Sequence, residues 1–330
     1  MTHLLAPLSF SGLTLRNRIA MPPMWSGQAR ADGTVTDQIV EYHRVRAAAG
    51  CGLVTVEHSF AHAGGRHSAT QIGAHDDAMI PGLARLAAAI RAEGAAACLQ
   101  ISHAGSRTSS AVLGRAPVAP SAVRHPCEPD GETPEPLTPG GIAEIVAAFG
   151  AAAVRARAAG FQAVEIHAAH GFLLSEFLSP LCNVRIDDYG TNAQGRRQLH
   201  LQVVADVRLR IGRDLAIFIR LGACDEMTGG LMLDEACHAA ARLARAGVDL
   251  ISVSGGLQGS RPAGREPGYF VPYAAAIKSF VTIPVMVTGG ISDPALADRI
   301  VRSGQADLVG VGRAMLADAG WARKAIEALQ

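Results

Sequence analysis

Short β-branched or apolar runs alternate with longer Ala-, Leu- and Arg-rich segments of helical period along the chain, and this alternation constrains the fold most. Strands are predicted at 18–24, 52–59, 97–103, 163–168, 216–222, 250–254, 285–289 and 308–312. Helices are predicted between and after them at 39–49, 80–93, 140–159, 195–211, 233–246, 273–280, 294–303 and 321–329. Regular β–α succession makes a parallel sheet, because a parallel neighbour is reached only through a crossover. Eight units of roughly forty residues favour a closed (β/α)₈ TIM barrel, an α/β fold, over an open doubly wound sheet. The 330 residues, 49% of them hydrophobic, suffice for one such barrel as a single domain over 1–330.

One stretch breaks the rhythm. Segment 107–139 carries Pro117, Pro120, Pro126, Pro129, Pro134, Pro136 and Pro139, which exclude a regular helix. It follows the third strand and so should lie on the catalytic face as a lid-like loop, with an inert excursion as the alternative.

The net charge of +1 and an aromatic content of 5% give no basis for binding nucleic acid or an anionic membrane. The six cysteines, Cys51, Cys98, Cys127, Cys182, Cys224 and Cys237, contain no CxxC pair, which disfavours a zinc ribbon, an iron–sulfur cluster or a dithiol site. Most read as small core residues, and reduced thiols suit a cytoplasmic location. Residues 1–15 lack a basic lead-in and are interrupted by Pro7, so neither a signal peptide nor a membrane span is expected.

In such a barrel, chemistry sits where strands end and βα loops begin. Strand one ends in Met21-Pro22-Pro23-Met24-Trp25, strand two in Glu57-His58, and strand three supplies Gln100, His103 and Gly105. Arg220 stands inside the apolar run Ile217-Phe218-Ile219-Arg220-Leu221. A guanidinium cannot deprotonate and is costly to bury unpaired. It therefore has either a salt bridge to Glu57 or Glu165, or an anionic ligand at the barrel mouth. Gly289-Gly290 and Gly310-Val311-Gly312-Arg313 end strands seven and eight and fit a phosphate site of backbone N–H groups with an added arginine. The second lacks a complete dinucleotide fingerprint and its ribose-binding acid. His167 and His170 straddle the end of strand four and can share a target only if the chain turns between them. Two converging imidazoles could then donate to one oxygen; a core histidine beside a surface one is the alternative.

Taken in order, these motifs resemble the old yellow enzyme family, especially its short bacterial ene-reductase branch. The likeness is carried by Leu15-Arg16-Asn17-Arg18-Ile19, Met21 to Met24, Gln100-Ile101-Ser102-His103-Ala104-Gly105 and Val164-Glu165-Ile166-His167-Ala168-Ala169-His170-Gly171. It continues through Glu176-Phe177-Leu178-Ser179-Pro180, Asn183, Arg185 and Asp188-Tyr189-Gly190. The resemblance implies bound FMN, with NADPH or NADH as reductant and an enone-like small molecule as the second substrate, in ping-pong order. It implies that Pro22, Pro23 and Met24 line the flavin edge and that Gln100 and Arg220 bind the pyrimidine end. It gives the phosphate to Gly289, Gly290, Gly312 and Arg313, and the substrate carbonyl to His167 and His170. No metal is implied, and a homo-oligomer is compatible.

The sequence departs from the family pattern in the pocket. Phe172 stands where a tyrosine is the expected proton donor, and Tyr269, after strand six, is the substitute suggested by location. Trp25 replaces a small flavin-tuning residue, His58 a small residue against the flavin, Gly27 a substrate-facing tyrosine, and Gly195 an asparagine. The last predicted helix, 321–329, stands near the end of the sequence, and neither the cluster motif nor the nucleotide domains of the long relatives are expected. Three rivals remain: oxidative amine or N-methyl dehydrogenation on the same flavin, a metal-dependent hydrolase using His58, His103, His167 and His170, and flavin binding with little catalysis.

Overall fold

The computed structural model describes residues 3–262 and 264–330. Eight parallel strands close into one barrel: β1 (Ile19–Met21), β2 (Leu53–Phe60), β3 (Ala96–Ser102), β4 (Ala163–Ala168), β5 (Ala216–Gly222), β6 (Leu250–Ser254), β7 (Val285–Val287) and β8 (Leu308–Gly310). Closure is made by β8 against β1, where Val309 pairs with Ile19 and Gly310 with Ala20. The outer helices are α1 (Asp37–Ala48), α2 (Ile80–Ala92), α3 (Pro139–Ala158), α4 (Gln198–Ile211), α5 (Leu233–Ala246), α6 (Val271–Lys278), α7 (Pro294–Arg302) and α8 (Trp321–Leu329). The expected fold is the observed one. β1, β7 and β8 are shorter than expected, because Pro22, Pro23 and the glycines that follow each strand leave the ladder early to shape the barrel mouth.

Strand alternation builds two separate apolar layers. On β5, Ile217, Ile219 and Leu221 pack outward toward the helices, while Ala216 and Phe218 face the barrel interior with Ala20, Leu53, Cys98, Ala163, Leu250, Met286 and Leu308. The interior is thus filled by side chains in tiers, as small parallel barrels require. The next tier up is polar: Glu57, Gln100, Glu165 and Arg220 are all buried.

An N-terminal hairpin, Leu8–Phe10 with Leu13–Leu15, was not anticipated. Its two-residue turn has Ser11 at φ 46° and Gly12 at φ 76°, the conformation that matches strand twist in a tight hairpin. Leu13 and Leu15 join the interior layer, and the Phe10 ring lies 5.9 Å from Phe218, so the hairpin closes the end of the barrel opposite the strand termini.

Helix α3 is 20 residues long with a mean hydropathy of 1.2, enough by length and composition to cross a membrane. Its apolar face, with Ile142, Ile145, Phe149, Ala152, Ala153 and Ala156, is buried within the fold. Segment 107–139 contains only a four-residue helix, Ser110–Leu113, and a two-residue pairing of Val118–Ala119 with Glu135–Pro136. Cys51, Cys98, Cys182 and Cys237 are buried, whereas Cys127 is exposed and Cys224 half-buried.

Candidate active site

At the C-terminal mouth of the barrel lies a cavity of about 830 Å³. Pro22, Pro23, Met24, Trp25, His58, Gln100, His167, His170, Arg220, Tyr269, Gly289, Gly290, Gly312 and Arg313 all line it. Of the residues given a cofactor or substrate role from the sequence, all but Phe172 are gathered there, whereas Glu57, His103 and Gly105 at the strand ends do not line it.

The floor is polar and incompletely satisfied. Gln100 Nε2 donates to Glu165 Oε1 at 2.7 Å. Arg220 makes no salt bridge to Glu57 or Glu165. It donates from Nη2 to Ser254 Oγ at 3.3 Å, and its Nε and Nη1 are buried without a partner, as is Glu165 Oε2. Burial pushes the Glu165 carboxyl up, opposed by Arg220 and by the Gln100 hydrogen bond. Glu57 instead accepts from the Ser26 backbone N–H at 2.6 Å, and burial raises it to about 7.

The histidine wall is made by a turn. His170 has φ 60° and Gly171 φ 72°, left-handed conformations that are unusual for a side chain and mark a constrained position. A Cβ on Gly171 would lie 2.1 Å from His125 Nε2, so only glycine fits there. The turn brings the His167 and His170 rings to 5.0 Å, edge to face. His170 Nε2 lies 2.7 Å from Ser254 Oγ, leaving Nδ1 as its free nitrogen. Arg107 Nη1 holds the turn from outside by donating to the His170 carbonyl at 2.8 Å. Burial, followed by the neighbouring cationic groups, holds both imidazoles well below their usual range, so both are neutral near pH 7.

Two pocket expectations need correction. Phe172 is buried against the wall: its ring lies 4.7 Å from His167, 5.3 Å from His67 and 5.4 Å from His58, and it is not among the residues that line the cavity. Tyr269 lines the cavity but at the glycine end, against Gly289 and Gly290. Its hydroxyl donates to the Ser260 carbonyl at 2.8 Å and accepts from Arg313 Nη2 at 2.8 Å, so location does not make it a substitute for a phenol at position 172.

The glycine end is tightly built. A Cβ would lie 3.0 Å from Phe270 N at Gly289, 2.9 Å from the Tyr269 ring at Gly290 and 2.7 Å from Met24 Sδ at Gly312. Segment 107–139 contributes no residue to the cavity wall. Among the described residues no group of three or more His, Cys, Asp or Glu is placed to hold a metal, and His103 turns away to accept from the Gly105 N–H at 3.1 Å.

Sequence reasoning did not name Ser254, Gln71 or Arg107 as site residues. Ser254 was legible, since it is the last inward position on β6, two beyond Ser252, which pairs with Arg220. Gln71 and Arg107 lie in loops and carry no such signal.

The sequence matches the NADH:flavin oxidoreductase / NADH oxidase family over residues 3–330. It is 38% identical to an NADH oxidase of Thermoanaerobacter brockii, covering 100% of this chain and 52% of that protein. It is also 38% identical to an NADPH dehydrogenase of Geobacillus thermodenitrificans, covering 97% of this chain and 92% of that one. The chain thus spans about half the length of the first relative and nearly all of the second. Among solved structures, a 2-naphthoyl-CoA reductase in complex with 2-naphthoyl-CoA superposes with a TM-score of 0.94 at 27% identity, over 99% of this chain and 52% of that one. The old yellow enzyme homologue of Zymomonas mobilis gives 0.86 at 27% identity, over 99% and 93%. The chain belongs to the NADH:flavin oxidoreductase / NADH oxidase family, the FMN-binding old yellow enzyme barrels.

Proposed function

We propose that the chain is an NAD(P)H-dependent ene-reductase that reduces the C=C bond of α,β-unsaturated carbonyl compounds. The observation that carries this reading is the meeting of His167 and His170 at 5.0 Å on the wall of the cavity whose floor holds Arg220.

The residues fit FMN. The unpartnered Nε and Nη1 of Arg220 are donors waiting for acceptors, suited to the oxygen- and nitrogen-rich edge of an isoalloxazine and to the negative charge it gains on reduction. Pro22, Pro23 and Met24 offer an apolar edge, and Gln100 adds a polar group beside Arg220. At the other end, Gly289, Gly290 and Gly312 let backbone N–H groups approach an anion, with Arg313 supplying charge. Bound there, FMN supplies hydride chemistry, taken from NADPH or NADH and given to the alkene.

The protein's part is to orient and polarise. His167 and the free nitrogen of His170 receive the substrate carbonyl oxygen and stabilise the negative charge that develops on it. Phe172 has no proton to give, so the proton for the second carbon has another source, for which we propose water. Segment 107–139 supports the His170 turn through Arg107. The test is anaerobic: the reduced protein is mixed with 2-cyclohexenone. Return of the oxidised flavin band supports the reading, and a band that stays bleached refutes it.

A further inference from the structure

Strand β2 carries one residue more than its partner. Val56 pairs with Leu99 and Ser59 with Ile101, so two residues, Glu57 and His58, stand opposite Gln100. By alternation His58 would follow Val54 and Val56 toward the helices. The bulge resets the alternation, and His58 lines the cavity.

The proton on this imidazole is fixed by its neighbours. The His67 backbone N–H donates to Gln71 Oε1 at 2.6 Å. A peptide N–H can only donate, so this end of the amide is the oxygen. The other end, Nε2, donates to the His58 carbonyl at 3.1 Å, and a carbonyl can only accept. The two contacts assign Gln71 the same way. Nε2 also lies 2.7 Å from His58 Nδ1, so Nδ1 accepts and the ring proton sits on Nε2. Among the described residues nothing accepts from that Nε2–H. Burial, with the neighbouring His67 second, lowers His58 to about 3, so the ring is neutral and donates through one atom.

The ring neighbours place the His58 ring on the His167 side of the cavity. They are Phe172 at 5.4 Å, His67 at 5.6 Å and Trp25 at 6.5 Å. Phe172 in turn packs on His167. None of these rings belongs to the floor of Gln100 and Arg220 or to the glycine end.

We propose that His58 is a specificity-determining residue whose Nε2–H, locked in one tautomer by Gln71, receives a second acceptor oxygen of a substrate whose first carbonyl is held by His167 and His170. The inference rests on the ene-reductase reading and narrows its substrate class to alkenes flanked by two acceptor groups, such as enediones and cyclic unsaturated imides. A singly activated enone that fills the cavity leaves the His58 donor without its acceptor, a penalty that discriminates against it.

The test uses the FMN-loaded protein and two unreactive rings of one size, succinimide with two carbonyls and 2-pyrrolidinone with one, titrated by the shift of the flavin band. Succinimide should bind about tenfold more tightly, and His58→Phe, which keeps the packing against Phe172, should erase the difference. Equal affinities in the natural protein, a preference that survives His58→Phe, or binding of neither ring at millimolar concentration overturns the proposal. So does a His58→Phe variant that shifts the flavin potential while leaving the preference intact, because the donor would then serve the cofactor. Histidine ¹⁵N spectra of the loaded protein supply a readout independent of affinity. His58, identified by its missing signals in His58→Phe, should show a protonated Nε2 and a bare Nδ1, and Gln71→Leu should remove that single-tautomer pattern. A protonated Nδ1 refutes the lock. Failure to turn over both 2-cyclohexenone and N-methylmaleimide, with the succinimide preference retained, would refute the reductase reading and leave His58 only as a donor to a dicarbonyl ligand.

Discussion

His170 Nε2 lies 2.7 Å from Ser254 Oγ, and the same hydroxyl accepts from Arg220 Nη2 at 3.3 Å. One serine therefore joins the residue proposed for the cofactor to a residue proposed for the substrate carbonyl. Ser254→Ala should free the His170 ring and lower kcat/KM for an enone about tenfold, as expected for the loss of one buried hydrogen bond. FMN should stay bound, because Arg220 keeps its other donors. A variant with unchanged kcat/KM would show that the Gly171 turn alone orients His170.

Arg220 and Glu165 are buried in the same tier without a direct salt bridge, each with unpartnered atoms. Arg220→Met should weaken FMN retention at least tenfold, measured by flavin remaining after gel filtration. It also removes the positive charge that opposes the burial penalty on Glu165. In the FMN-free variant the Glu165 carboxyl should therefore hold its proton to higher pH than in the natural protein, read by carboxyl ¹³C titration.

Phe172 packs 4.7 Å from His167 and 5.4 Å from His58. Phe172→Tyr introduces a phenol at the wall where the sequence otherwise offers none. Rapid mixing of reduced protein with 2-cyclohexenone should show reoxidation about tenfold faster or more, within the range of one added general acid. An unchanged rate would mean that proton delivery is not what limits this step.

Glu176 is buried away from the cavity, accepting from the Ser106 hydroxyl and backbone N–H, and burial pushes it up to about 8 despite those hydrogen bonds. Its unfolded value is near 4.5. Between these values the folded state holds the proton and the unfolded state does not, so this group's contribution falls as pH rises from about 4.5 to about 8 and is flat outside that window. Glu176→Gln keeps the shape and removes the titration. Its Tm relative to the natural protein should rise steadily from pH 5 to pH 8, and a constant difference would place the ionisation elsewhere.

The sequence was most informative where spacing alone determines position. The β–α succession determines the barrel, and alternation along Ile217-Phe218-Ile219-Arg220-Leu221 already places Arg220 inside it. His167 and His170 were legible as a pair because the strand ends between them. Less was legible where geometry depends on contacts distant in the chain. Phe172 was expected among the cavity-lining residues, but it packs against His167, His58 and His67 at the wall. Tyr269 was expected near the chemistry, but its hydroxyl is claimed by Ser260 and Arg313. The Leu8–Phe10 hairpin had a visible period of two and a Ser-Gly turn, and was missed because its two strands are only three residues long each.

A strand advances about 3.3 Å per residue and offers the barrel interior every second side chain. The extra residue in β2 lets that strand present two neighbours in succession, so one property of this pocket depends on chain length and not only on which amino acids are present. Substitution can change what stands at position 58 but not the direction it faces. A one-residue deletion between Val56 and Ser59 would realign β2 with β3, and the position beside Trp25 would pass to a different side chain while every other strand kept its own. Insertions and deletions in this short stretch are therefore a route by which pockets on this scaffold can diverge, one that substitution scanning would not detect.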